Sequence, residues 1–274
     1  MAWFITKHAN ESALASAING MSKLNIALTA DDGKIHYVKR GYSNEYLTFE
    51  SYGGRITYCF NEHKRIRISY DNGATWQETD EDGKFDVYPG NKVMIKGEYT
   101  DDMYGAGHFT CPTYDIGAKF KIYGNIMSLV YNDNFYGKTD ISSMGHLFEG
   151  LFSGCTLMEN AKDLILPATT LSESCYENMF MGCTSLKTAP ALPATDFDGL
   201  YNCYKGMYYG CVSLNYIKMM GVDKYTPDSL YEWVYNVSPT GTFVKKPITE
   251  WDDIANQESD YVGVPEGWTI VYED

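Results

Sequence analysis

The sequence predicts a mixed β and α/β fold. It divides into an N-terminal helix-hairpin anchor (1–43), a small antiparallel β-sandwich (44–137), a short solenoid of about three 28-residue repeats (138–237) and a C-terminal β cap (238–274). Three observations carry this expectation. Short period-2 segments punctuated by turn residues fill 44–137. Beyond them one phrase recurs three times at fixed spacing. The hydrophobic fraction of 44% is that of a globular chain and excludes wholesale disorder.

In the lead-in, Leu14, Ala17, Ile18 and Met21 recur at the i, i+3, i+4, i+7 spacing of one helix stripe, which predicts a short helix over 11–24. Asn10 is its candidate cap and Gly20 weakens its last turn. Segments 26–28 and 34–37, joined by Asp31-Asp-Gly33, predict a hairpin. The apolar residues Trp3, Phe4, Ile5, Leu14, Ile18 and Met21 are the candidate anchoring contacts.

In the second segment, 46–49, 55–60, 66–70, 84–88 and 92–96 alternate with period 2, and further short strands are expected at 107–110 and 118–123. Gly53-Gly54, Asn72-Gly73, Asp82-Gly83 and Pro89-Gly90 supply the turns. Within this segment Ser69, Asp71, Gly73, Thr75 and Trp76 fit the Asp-box pattern S-x-D-x-G-x-T-W. That pattern is a hairpin device: the carboxylate bonds turn amides and the Trp packs beneath.

The repeat is the strongest signal. Leu151-Phe-Ser-Gly-Cys155, Met179-Phe-Met-Gly-Cys183 and Met207-Tyr-Tyr-Gly-Cys211 are copies of one phrase, with cysteines 28 residues apart. Cys-Tyr recurs at 175–176 and 203–204, and Leu-Pro-Ala-Thr at 166–169 and 192–195. Leu171, Cys175, Met179 and Cys183 fall four apart, as do Leu200, Cys203, Met207 and Cys211 after one irregular step, which predicts a helix face in each unit. A short extended stretch follows each Gly-Cys. Such units bury their apolar faces only by stacking. Segment 221–237 is a degenerate last unit, and two strands near 241–245 and 267–272 are expected to close the open end.

Cys175-Tyr-Glu-Asn-Met-Phe-Met-Gly-Cys-Thr-Ser-Leu186 resembles the BspA-type leucine-rich repeat, C-Y-x-x-M-F-x-G-C-T-S-L. Gly241-Thr-Phe-Val-Lys245 with Val264-Pro-Glu-Gly-Trp-Thr-Ile270 is similar to the strands that close such arrays, and the β segment ending in Gly124-Asn-Ile-Met-Ser-Leu129 to the module that often precedes them. The resemblance implies a leucine-rich-repeat solenoid in a cell-surface protein of gut bacteria or a virion protein of their tailed phages, crAss-like phages included. Segment 24–37, LNIALTADDGKIHY, resembles a module at the start of phage fibre proteins, with Lys23 in place of the usual Pro and Ala27 of the usual Ser.

Composition and motifs narrow the function. With 22 Lys+Arg against 36 Asp+Glu the net charge is −14, which repels nucleic acid and anionic lipid alike. No secretory signal, lipobox or apolar run of membrane-spanning length is present, which predicts a protein made and used without secretion. Cys155, Cys175, Cys183, Cys203 and Cys211 recur at the repeat period rather than in zinc-type pairs, so they are expected to be buried structural residues. No phosphate loop, nucleophile elbow or dinucleotide fingerprint occurs, so no catalytic residue, metal or cofactor is expected. Tyr176, Tyr204, Tyr208 and Tyr209 sit beside the repeat cysteines. They are candidate ligand contacts, since a phenol offers a sugar an apolar face and a hydroxyl; packing between repeats is the alternative.

The expected function is a structural virion protein, a head or tail fibre, located on the particle surface. Its N-terminus would join capsid or tail proteins, a homo-oligomer (a trimer for choice) would form, and the repeats would bind host-surface glycans or proteins. The alternatives are a bacterial cell-surface adhesin of the same repeat class and an accessory module of a carbohydrate-active enzyme.

Overall fold

A computed structural model of the chain describes residues 26–29, 36–39, 45–60, 66–79, 83–98, 108–110, 118–195, 197, 199–221, 227–247 and 254–273. The expected helix at 11–24 and the candidate anchors Trp3, Phe4, Ile5, Leu14, Ile18 and Met21 lie outside the described residues. Strands β1 (Ile26–Thr29) and β2 (His36–Lys39) pair antiparallel.

The period-2 segments form β3 (Leu47–Tyr52), β4 (Ile56–Phe60), β5 (Ile66–Ser69), β6 (Gln77–Glu78), β7 (Lys84–Val87), β8 (Lys92–Gly97), β9 (Phe109–Thr110) and β10 (Lys119–Asn125). After α1 (Ser128–Tyr131) come β11 (Met158–Ile165), β12 (Thr188–Leu192), β13 (Tyr216–Met219), α2 (Pro227–Leu230) and β14 (Thr242–Lys245). The chain closes with β15 (Ile254–Ala255), β16 (Val264–Pro265) and β17 (Thr269–Tyr272).

The expected fold class is corrected here. The protein is mostly β and is built on one mixed sheet of ten strands in the order β17-β14-β13-β12-β11-β10-β3-β8-β5-β6. The α-helices among the described residues are four residues long. The antiparallel strands are not a closed unit. β10 pairs antiparallel with β3 on one side and parallel with β11 on the other, so the β segment and the repeats share backbone hydrogen bonds. Gly124, next to last in β10, adopts φ +86, where a Cβ would lie 2.1 Å from the carbonyl oxygen of Tyr46, so only glycine fits. The three-stranded sheet β7-β4-β9 covers the antiparallel half. Phe49 on β3 meets Tyr58 (4.6 Å), Phe109 (5.0 Å) and Phe152 (6.2 Å), so one core runs under both halves.

The repeat contains no helix where one was expected. The four-residue spacing is real, but it is the period of successive β-turns. Ser174, Asn178 and Gly182 adopt φ of 51°, 55° and 72°, and their counterparts Asn202, Gly206 and Gly210 adopt 57°, 57° and 73°. A left-handed residue every fourth position is incompatible with an α-helix, whose φ values are all negative. Amides of Glu177, Met179, Met181 and Cys183 donate to carbonyls three residues back. The alternate amides of Tyr176, Asn178, Phe180 and Gly182 donate instead to Cys203, Lys205, Met207 and Tyr209 in the next coil, at 2.7–3.0 Å. Half of the turn backbone is therefore satisfied locally and half by the neighbouring coil. A single coil leaves these donors unpaired, which is why the units stack.

Side chains between the turn stack and the sheet form columns. Phe109, Phe152, Phe180 and Tyr208 stack at 5.5–5.8 Å, and Trp233 ends the row. Phe148, Tyr176 and Tyr204 stack at 5.7 and 5.8 Å. Cys155, Cys183 and Cys211 donate S–H to the carbonyls of Phe109, Phe152 and Phe180 at 3.3, 3.1 and 3.0 Å. A small apolar residue that carries a weak donor suits that position. At the far end the Trp233 indole, which closes the ring column, donates to the carbonyl of Gly263 at 3.0 Å. Glu232 donates its amide to Asp260, so the segment around Asn256–Asp260 closes the stack.

Candidate functional site

Each coil presents two surfaces, the turn stack and the outward side of the parallel sheet. The sequence placed the candidate contacts on the first. Tyr176, Tyr204 and Tyr208 are instead buried, at 0–1% exposure, in the columns described above. This corrects their reading as ligand contacts: their ring faces are occupied by Phe148, Phe180 and one another. Burial pushes all three phenols well above their usual pKa. Tyr209 reaches the surface of the turn stack, where its ring lies on Tyr235 at 4.6 Å, and Tyr261 meets Tyr235 edge-on at 4.6 Å. A row in which one ring covers the next offers a sugar little free face.

The five repeat cysteines are buried thiols. Desolvation pushes Cys175 and Cys211 up to about 12 and raises Cys183 and Cys203. Thiols so held lack the thiolate that nucleophiles and metal ligands need. In the Asp-box the Thr75 hydroxyl and amide donate to the two carboxylate oxygens of Asp71 (2.6 and 2.9 Å) and hold it at about 2. The Ser69 hydroxyl donates to Asp71 and accepts from the Gly73 amide, both at 2.8 Å. Trp76 meets Tyr46 at 4.7 Å, under the ammonium of Lys96 at 4.3 Å. These contacts engage the Ser69, Asp71 and Thr75 side chains within the turn and tie the Trp76 ring to β8 and to Tyr46, the residue before β3.

The sheet carries a surface that the sequence reading missed. Pairing brings Asn160, Thr188, Tyr216, Thr242 and Thr269 into register on five adjacent parallel strands, with Lys121 and Glu50 continuing the row onto β10 and β3. Their neighbours along each strand, such as Ala189, Ile217 and Phe243, point into the core, so by strand alternation the row faces outward. A groove of about 780 Å³ lies over β11–β14, lined among others by Lys162, Thr188, Ala191, Tyr216, Lys218 and Thr242. Ala191 and Gly241 keep its floor low. Lys218 pairs with Glu273 at 2.5 Å, whereas Lys162 has no ion-pair partner among the described residues. The spacing that would have found this row is the repeat itself, followed along the strands: Thr188, Tyr216, Thr242 and Thr269 recur every 26–28 residues.

Beside the groove a register irregularity makes Glu159 an extra residue in β11. Its carboxylate accepts from Lys187, from the Tyr52 hydroxyl at 2.7 Å and from Lys119 at 3.1 Å, which holds it at about 2. On the turn surface His146, Glu149 and Glu177 place three potential ligand atoms within 4.8 Å, but Nδ1 of His146 engages Glu149 (2.6 Å) and Lys205 engages Glu177 (3.2 Å).

Comparisons of the chain with family models, curated proteins and solved structures find no match.

Proposed function

We propose that this chain is a structural virion protein, a head or tail fibre of a tailed phage, that displays the outward face of its parallel sheet to host-surface glycans or proteins. The observation that carries the reading is the registered row Asn160, Thr188, Tyr216, Thr242 and Thr269 over an open groove. It holds hydroxyl and amide groups at interstrand spacing on backbone paired on both sides, except at Thr269 on the edge strand β17. Such an array recognises hydroxyl-rich chains with little loss of conformational freedom, since it is ordered before binding. The BspA-type phrase and the fibre-like module at 24–37 support the phage assignment. On this reading residues 1–43 join capsid or tail proteins, three copies assemble, and no chemistry is done on the ligand.

Mass spectrometry of purified particles tests the assignment: the chain is expected at the copy number of a structural component, and its absence from particles overturns it. The repeat phrase itself also suits a bacterial cell-surface adhesin that uses the same face. Shaving intact cells with protease separates the two, because an adhesin releases repeat peptides from uninfected cells.

A further inference from the structure

We infer that the groove over β11–β14 takes an anionic glycan, one bearing uronate, sialate or sulphate groups. The inference rests on the display reading above and names the ligand class. Among the lining residues the charged ones are Lys162 and Lys218, both cationic, in a chain whose net charge is −14. They stand on β11 and β13 with the short side chain of Ala191 on β12 between them, Ala191 and Lys218 being paired in register. Two interstrand spacings separate their strands by about 10 Å, the reach of two sugar rings. Around them Thr188 on β12, Asn215 and Tyr216 at the start of β13 and Thr242 on β14 supply donors and acceptors suited to sugar hydroxyls.

The charge distribution argues for a sparse anion over a dense one. Two lysines attract isolated carboxylates or sulphates, while the overall negative charge opposes a polyphosphate chain. Lys218 is available despite Glu273, because that carboxylate is 51% exposed and an ion pair of this kind is readily exchanged for a ligand anion in solution.

The test measures binding of the full chain to immobilised hyaluronan, sialyllactose and chondroitin sulphate. Carboxyl-reduced hyaluronan and lactose serve as neutral counterparts. The expected result is at least tenfold tighter binding to an anionic member than to its counterpart, weakened by salt. Lys162→Ala and Lys218→Ala should each lower that affinity severalfold with an unchanged melting temperature. Binding to chondroitin sulphate alone identifies sulphate as the anion. Equal binding of charged and neutral members, unaffected by either lysine variant, overturns the inference and leaves the display reading standing. Binding of no anionic member overturns it as well, whereas the display reading stands or falls on particle composition.

Discussion

Replacing Gly154, Gly182 and Gly210 together with alanine distinguishes a stack of turns from a stack of helices by the sign of the effect. The three glycines occupy the same place in successive coils, at φ of 74°, 72° and 73°. A Cβ at Gly154 meets nothing within 4 Å, and at Gly182 and Gly210 its nearest neighbours lie at an ordinary 3.9 Å, so sterics contribute nothing. What remains is backbone conformation. Holding alanine in the left-handed region costs about 1–2 kcal/mol per residue. The smaller unfolded-state entropy of alanine offsets about 0.4–1 kcal/mol of that. The net loss is about 1 kcal/mol per site, so the simple sum for the triple variant is about 3 kcal/mol. Because the new Cβ atoms at Gly182 and Gly210 touch the backbone of the neighbouring glycine, the single variants are measured alongside it to read the coupling. In an α-helix the same change would stabilise by about 1 kcal/mol per site. Urea unfolding followed by far-ultraviolet circular dichroism reads the difference. The melting temperature should fall by about 6–12 °C, at roughly 2–4 °C per kcal/mol for a domain of this size. Asparagine at Gly154, which tolerates the left-handed region, should lose less than alanine. A triple-alanine variant more stable than the parent refutes the turn assignment.

Alkali should unfold the protein cooperatively. Burial holds Cys175 and Cys211 at about 12 against an ordinary thiol value of 9.0, so between pH 9 and 12 the folded state binds the extra protons. Stability is then full below pH 9 and falls with rising pH, by about 1.4 kcal/mol per pH unit for each thiol; tyrosinate absorbance of the buried phenols should appear with unfolding and not before it. Tyr208→Phe removes a buried hydroxyl that has no hydrogen-bond partner among the described residues, and a gain of about 1 kcal/mol is expected in a thermal melt. A loss instead would identify a bound water at that hydroxyl. Lys96→Met takes the ammonium from Trp76 and from Asp133, 2.7 Å away, and should cost about 2 kcal/mol in urea, with Trp76 fluorescence shifting.

Much of the local structure was legible. Period-2 alternation between turn residues marks β3, β4, β5, β7 and β8, because a half-buried strand must alternate whatever it pairs with. Their assembly was not legible from the same pattern. Nothing in Lys119–Asn125 announces that one edge meets β3 antiparallel and the other meets β11 parallel. The repeat was misread for a related reason. A four-residue period in Leu171, Cys175, Met179 and Cys183 lies close to 3.6, and apolar spacing alone does not separate the two. The distinguishing signal sits on the polar positions: Ser174, Asn178 and Gly182, then Asn202, Gly206 and Gly210, are poor helix formers that recur every fourth residue. The candidate tyrosines failed on the same ground. Placed on an imagined helix they point outward; in the turn stack Tyr176, Tyr204 and Tyr208 point into the core. The groove was missed because its residues are ordinary threonines, lysines and alanines, which acquire meaning only once strand register aligns them.

On the proposed function the sheet surface, and not the turn stack, contacts the host. The direct measurement is binding of the labelled full chain to cells that propagate the particle, using two double variants. Thr188→Glu with Thr242→Glu places two carboxylates and their added bulk in the groove. Met181→Glu with Tyr201→Glu alters the turn stack at residues 37% and 60% exposed. Loss of cell binding in the first pair with full binding in the second is the predicted result. Full binding in the first pair with loss in the second contradicts the account.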